Sequence, residues 1–478
     1  MRAQAIPRPA LLATIFVFNF IEFLQSGMVV FASAATMGHV GASPEEYALA
    51  TGLYAAVAVV AISQMSACVQ RFGWRDFMLG SALVSALGAW TCAASTSLFG
   101  FAAGRVLMAA GGGVFMTAAR MMVNFIPPSP ARIIGIASFG AALSGGLALA
   151  SLAAGTLVGA EAWSGIFLLL ATLALLGGAL AWRWLPNGAD TLDASPSRFD
   201  LGDSLALGGA AFLLLYGLQR LVYDWHRERA DVLALVGCGL LLAVLFYARH
   251  RRRPARFLRL EMLRSPRYRT GLLIFASCYT LLGMFNTVLP QLVQRVLGVP
   301  LQQAGELQAA GMALGIPVFA AMLLVVRKHP HATKFYVTGF LALAAFGWHF
   351  AHLDPAAQPW RSVAPWIGLF GTFVILAMAT TALHSFTDFQ HDNVLFSNAQ
   401  QLKNMLGQVG TALGAGYGGV LLQDRGALHG ERLAEQASVG GAVLLQQGSL
   451  LAGIDVFLLL AVTGVVGAVL LAVQRRFD

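Results

Sequence analysis

Long apolar runs separated by short polar breaks succeed one another from Leu11 almost to the last residue. A bilayer core about 30 Å thick takes around 20 helical residues to cross. Runs of that length fall at 11-36, 46-68, 77-96, 98-124, 130-158, 163-184, 201-222, 230-248, 268-296, 301-326, 334-352, 363-386, 396-422 and 452-474. The pattern predicts fourteen transmembrane helices and no strands. Composition closes the alternative: with 58% hydrophobic and 11% charged residues, the chain cannot give soluble domains polar outer faces. The expected class is an all-α integral membrane protein.

The first run has Arg2 and Arg8 ahead of it and ends in Ala32-Ser33-Ala34, which superficially resembles a secretion signal. It is too long for one, a carboxylate interrupts it and many spans follow, so it is read as the first membrane helix. Cys68, Cys92, Cys238 and Cys278 are scattered singly, with neither disulfide nor metal-ligand spacing. No metal and no cofactor is expected.

Charge then orients the spans. Arg71 and Arg75 lie in the second loop, Arg132 in the fourth, nine arginines from Arg249 to Arg269 in the eighth, Arg327, Lys328 and Lys334 in the tenth, and Arg475 and Arg476 in the tail. The loops after the first and third spans hold no Lys or Arg. Positive loops stay cytoplasmic, so both termini are expected inside. The formal charge of +9 thereby serves orientation and contact with anionic membrane lipid, and nucleic acid is not an expected partner. Within the eighth loop, Phe257, Leu258, Leu260, Met262 and Leu263 alternate with arginines, as for a segment lying along the cytoplasmic interface.

The two ends of the chain repeat each other. "GASPEEYALATGLYAAV" follows the first span and "GVPLQQAGELQAAGMAL" the ninth, and each is followed by a loop with a basic residue, Arg75 or Lys334, five positions before a glycine. Internal repeats of this kind build many transporters. The expected partition is a six-helix bundle over 1-185, a linker with two inserted helices over 186-250, and a second six-helix bundle over 251-478.

Ionisable residues inside spans are costly unless they face water, a partner or a substrate. Glu22 stands about eleven residues into the first span, so at 1.5 Å per residue it is about 16 Å deep. Asn19, Gln25 and Ser26 share its side of the helix, a polar stripe suited to a water-filled cavity. Burial disfavours the charged form of a carboxylate, and Glu22 is the candidate proton-coupling site; binding a cationic substrate or pairing with Arg105 are the other readings. Arg105, in the fourth span, would meet a carboxylate or an anionic substrate group, or donate to backbone carbonyls. Lys403, flanked by Gln400, Gln401, Asn404 and Gln408, suits ligand or structural contact equally. Tyr54, Tyr279, Asn286, Gln291 and His384 are further candidates for substrate contact. Asp203, Asp224, Glu306, Asp388 and Asp392 fall near span ends and are expected to be solvated. In the fifth span, Gly140 and Ser144, then Gly146, Ala150 and Ala154, form small-residue faces that suit either sliding or static packing.

Several motifs carry a resemblance. "SACVQRFGWRD" holds Arg71, Gly73 and Arg75; "GRVLMAAGGG" is built around Arg105; "TVLPQLVQRVLGVPLQQAG" and "QQLKNMLGQVGTALG" lie in the later spans. Together they resemble the major facilitator superfamily, in particular its fourteen-helix drug/proton antiporter branch, over essentially the whole chain. Three positions depart from that branch: Gln70 stands for the acidic residue of the first motif, Gln25 for the usual aspartate of the first span, and "ASLAAG" for the "GPxxGG" of the fifth. The resemblance implies a secondary active transporter of the bacterial cytoplasmic (inner) membrane working by alternating access, with Arg71, Gly73, Arg75, Gly146 and Ala150 in conformational gating. Proton-coupled efflux of amphiphilic or aromatic small molecules is the implied activity. The alternative is a specific exporter or permease for one metabolite, such as a siderophore, without standard antiport. No P-loop, HExxH or cysteine cluster occurs, so neither ATP-driven transport nor an enzyme is expected. Within the expected external segment 423-451, "LHGERLAEQ" is either a short interfacial helix or a plain loop, and a periplasmic adaptor protein is a candidate partner for the segment.

Overall fold

A computed structural model describes residues 8–126, 130–188, 200–223, 228–252, 258–329, 331–354, 356–389, 391–436 and 441–474. In chain order the helices are α1 (Arg8–Phe31), α2 (Ser33–Val40), α3 (Pro44–Ala94), α4 (Leu98–Gly112), α5 (Phe115–Met122), α6 (Pro130–Gly159), α7 (Gly165–Trp184), α8 (Leu201–Tyr223) and α9 (Arg229–Arg252). They continue as α10 (Pro266–Leu297), α11 (Leu301–Ala313), α12 (Gly315–Lys328), α13 (Thr333–Ala351), α14 (Pro359–Ser362), α15 (Ala364–His384), α16 (Asn393–Gln436) and α17 (Gly441–Val473). No strand occurs among the described residues.

Among those residues, eleven helical segments are long and apolar enough to cross a membrane. The 51-residue α3 contains two of the expected spans, because Gly73 (φ 81°, ψ 166°) breaks it. α13, diluted by Lys334 and His349, and α16, with its glutamines and Lys403, are less apolar and correspond to the remaining expected spans. The protein is therefore an all-helical, multi-pass membrane protein. Leu240, Leu241 and Val244 on α9, and Val465, Val469 and Leu470 on α17, point outward. In water such faces would be association sites; here they meet lipid.

Local chemistry starts and stops the helices. The Ser43 hydroxyl accepts from the Glu46 amide (3.2 Å) while the Glu46 carboxylate accepts from the Ser43 amide (2.9 Å), a reciprocal cap that starts α3 at Pro44. Gly298 (φ 63°) closes α10 in the left-handed conformation.

Two groups of helices pack internally: α1 and α3 to α7, and α10 to α17. They meet where α6 lies on α11 and α16 lies on α3. Lipid supplies little hydrophobic drive between helices, so small residues that admit close contact set these approaches. A Cβ on Gly305 of α11 would stand 2.4 Å from the Ser151 carbonyl oxygen of α6. The α8–α9 pair packs together, and α8 reaches both α3 and α16. Its Ser204 hydroxyl bonds Ser63 (2.9 Å) and also Gln64 of α3, while Gln219 donates to the Ala412 carbonyl of α16 (3.1 Å).

Three expectations change. Asp203 is buried, and its carboxylate lies 3.0 Å from Arg249 and 3.6 Å from His250. Apposition of α8 and α9 forms this cluster, which span-end position did not disclose. In the eighth loop, residues 253–257 lie outside the described set, but Leu258 and Met262 are buried against Tyr268 rather than lying along the interface, and the His250 ring bonds the Leu258 carbonyl (2.7 Å). The stretch 428–436 is neither a separate helix nor a loop: α16 runs unbroken to Gln436, and its 44 residues exceed the about 20 needed to cross. Asp224 and most of the 186–200 linker lie outside the described residues.

Candidate functional site

α1 supplies the central side chains. Glu22 is 3% exposed, and its Oε1 accepts a hydrogen bond from Nε2 of Gln408 on α16 at 2.6 Å. Its other oxygen, Oε2, is buried with no hydrogen-bond partner among the described residues. The stripe around it fans out to separate neighbours. Asn19 donates to the Phe139 carbonyl of α6 (2.7 Å), Gln25 bonds the Tyr54 hydroxyl of α3, and Ser26 bonds back to the Glu22 carbonyl (2.8 Å). None of the four is on the wall of the two cavities described below. Sharing one side of a helix did not mean sharing a partner, because three other helices meet that side.

Arg105 is buried, with its guanidinium 3.9 Å from the centre of the Tyr54 ring. It lies within electrostatic reach of Glu22, yet among the described residues no carboxylate comes within the 4.0 Å of an ion pair. Arg105 nevertheless lines a cavity of about 840 Å³. This wide cavity runs between the ends of α1, α2 and α3 and those of α10, α16 and α17, with Tyr47, Gln291, Arg295 and Gln423 on its wall. The long extension of α16 and the start of α17 form one side of it, through Gly426, Gly430, Leu444 and Leu445.

A second, small cavity of about 50 Å³ lies along α1 in the opposite direction, beside Phe23. Its wall includes Met116, Arg120, Phe139, Phe275, Tyr279, Met378 and Lys403. Gln25 falls on the stretch of α1 between Phe23 and Val29, the first α1 residue of the wide cavity, whereas Glu22 immediately precedes Phe23. Beside the small cavity, α16 is bound to the first group of helices by side-chain hydrogen bonds. Gln401 donates to Ser66 (2.8 Å) and Asn404 to Thr117 (2.7 Å), in addition to the Gln408–Glu22 bond.

The remaining candidates divide. Lys403 and Tyr279 face the small cavity, Arg105 and Gln291 the wide one, and Tyr54 supports Gln25 and Arg105. Asn286 instead accepts from Gln308 of α11 (2.8 Å) inside its own group. Gln400 is fully buried, and among the described residues both its amide atoms lack hydrogen-bond partners. His384 ends α15 outside both cavities. Sequence reasoning placed Gln408 only as a neighbour of Lys403 and omitted Arg120 and Thr117. Arg120 carried the same signal as Arg105, a cation inside a predicted span.

Of the gating candidates, Gly73 is required by its backbone: a Cβ there would stand 2.0 Å from the Asn187 carbonyl oxygen. Arg75 donates to the Asn187 side chain (3.0 Å), so this loop docks on the segment following α7. Arg71 is exposed. Gly146 and Ala150 pack against α1, Gly146 beside Phe23 and Ala150 beside Gly27. The α6 face that meets α11 is another one, formed by Ser151, Gly155 and Gly159.

A sequence model of the Major Facilitator Superfamily matches residues 15–415. The chain belongs to the major facilitator superfamily. It is 25% identical over 420 residues to an uncharacterized MFS-type transporter of Mycobacterium tuberculosis, covering 86% of this chain and 69% of that one. It is also 25% identical over 430 residues to a Cronobacter sakazakii protein bearing the name multidrug resistance protein MdtD, covering 88% and 87%. Among solved structures, a bacterial homolog of the human lysosomal transporter Spinster, inward-facing and unoccupied, aligns over 98% of this chain and 97% of that one, with a TM-score of 0.64 at 15% identity. The nucleoside transporter NupG aligns over 98% and 100%, with a TM-score of 0.60 at 10% identity. These likenesses show the fold. The protein is an MFS transporter of small molecules, not an enzyme.

Proposed function

We propose that this transporter exports amphiphilic or aromatic small molecules in exchange for protons, with Glu22 as the coupling group. The observation that carries the reading is the placement of Glu22: a buried carboxylate with one oxygen held by Gln408 of α16 and the other unpartnered. A proton on the free oxygen removes a charge from the boundary between the two helix groups. Proton binding thereby changes the cost of separating α1 from α16, which is what coupling to alternating access requires. The names of the MdtD relatives support drug efflux as the direction. In this reading the two helix groups move as bundles of six spans each, over 1-185 and 251-478, with 186-250 as linker and inserted pair. The termini lie in the cytoplasm, the membrane is the bacterial inner membrane, and a periplasmic adaptor protein would meet the α16–α17 extension.

A second reading, a specific exporter for one metabolite without antiport, is favoured by Gln25, which bonds Tyr54 and cannot titrate. Glu22→Gln separates the two. In proteoliposomes, coupling predicts a variant that equilibrates substrate down its own gradient but no longer accumulates it against a pH difference. Full pH-driven accumulation by Glu22→Gln overturns the assignment.

A further inference from the structure

Cations concentrate on both cavities without acidic partners. In the small cavity Lys403, only 3% exposed, shares the wall with Arg120. Among the described residues neither has a carboxylate within 4.0 Å, and neither donates a hydrogen bond to an oxygen. Their contacts are ring faces: Lys403 Nζ lies 4.5 Å from the Phe275 centroid, and Arg120 Cζ lies 5.5 Å from that of Phe396. Such contacts offset only part of the several kcal/mol that a charge costs inside a membrane protein. The two cations also repel each other. An anion between them would answer both costs.

The wide cavity shows the same sign independently. Arg105 and Arg295 line it, and no Asp or Glu does among the described residues. Glu22, next to Phe23 on α1, is on the wall of neither cavity and accepts from Gln408.

We propose that the substrates are organic anions, with Lys403 and Arg120 holding one carboxylate or comparable oxyanion and the apolar walls taking the adjoining ring or chain. This rests on the transport reading and names its substrate class. The two cavities suit different parts of such a molecule, since about 50 Å³ admits a headgroup or a few waters, whereas about 840 Å³ admits a whole amphiphile. Phe23, Phe275, Tyr279 and Met116 give the small site its affinity for an aromatic neighbour of the charge.

The test uses the full chain in neutral phosphatidylcholine nanodiscs with three matched probes: 2-naphthoate, 2-naphthamide and 2-naphthylmethylammonium. Radioligand binding should favour naphthoate over the amide by at least about tenfold, as for loss of a charged hydrogen-bond partner, with the ammonium weakest. Lys403→Gln and Arg120→Gln should each remove that preference while leaving amide binding in place, and Lys403→Arg should retain it. Equal binding of amide or ammonium, no saturable naphthoate binding, or a preference surviving both glutamine variants overturns the proposal. Abolition of naphthoate binding by added phosphatidylglycerol would assign the site to lipid and overturn it as well. Flux in proteoliposomes separates the two readings. Naphthoate bound selectively but never translocated refutes transport and leaves the anion site, whereas translocation of amide or ammonium with naphthoate ignored refutes the anion site and leaves transport.

Discussion

Replacing Gln408 by leucine should shift the balance of conformations more than any neighbouring polar substitution on α16. The Gln408–Glu22 hydrogen bond is 2.6 Å long, buried, and accepted by a carboxylate. Hydrogen bonds to charged groups contribute about 1.5–3 kcal/mol, against about 0.5–1.5 kcal/mol for neutral ones such as Gln401–Ser66 and Asn404–Thr117. Leucine fills the space of glutamine but leaves both Glu22 oxygens unpartnered, since Oε2 already lacks a partner. At about 1.4 kcal/mol per tenfold, the conformation with α16 against α1 should lose about 10- to 150-fold in relative population. The assay is electron–electron distance measurement between spin labels at Phe72 and His391, both exposed and on opposite helix groups, after removal of the four native cysteines. Gln408→Leu should move the distribution to longer distances, and Asn404→Leu should move it less. In the double variant Glu22→Gln/Gln408→Leu, the two effects should fall short of additivity, as expected of contacting residues. An unchanged distribution in Gln408→Leu would refute the view that this bond holds the two groups together.

Two further outcomes follow from the fold. Gly73→Ala places a Cβ at φ 81° and 2.0 Å from the Asn187 carbonyl oxygen, so it should cost at least about 2 kcal/mol and lower the thermal midpoint in detergent; an unchanged midpoint would show that the α3 break tolerates side chains. Reporter fusions after Gln70, Arg253 and His329 should be cytoplasmic and one after Gly430 external, and a cytoplasmic signal at Gly430 would sink the proposed orientation.

Membrane spans were legible because their signal is local. A window of about 20 residues, fixed by bilayer thickness, is either apolar or not, and each of the fourteen expected spans coincides with helix in the structure. The site was legible only in its membership. Glu22, Arg105 and Lys403 are charges that a span does not carry idly, and all three proved buried. Their partners were not legible, since helix rotation decides them and membrane helices apolar on both lipid and core faces give composition little power to set it. Glu22 and Gln408 are 386 positions apart. Equal spacing put Asn19, Glu22, Gln25 and Ser26 on one side of α1, yet packing sent the first three to α6, α16 and α3. Packing likewise buried Asp203 against Arg249 and His250, and made the extension of α16 a cavity wall. Sequence therefore determined which segments cross the membrane and which charges they carry inside, because bilayer thickness reads composition along one dimension; tertiary structure decided which charges share a cavity, because that depends on the rotation of helices far apart in the chain.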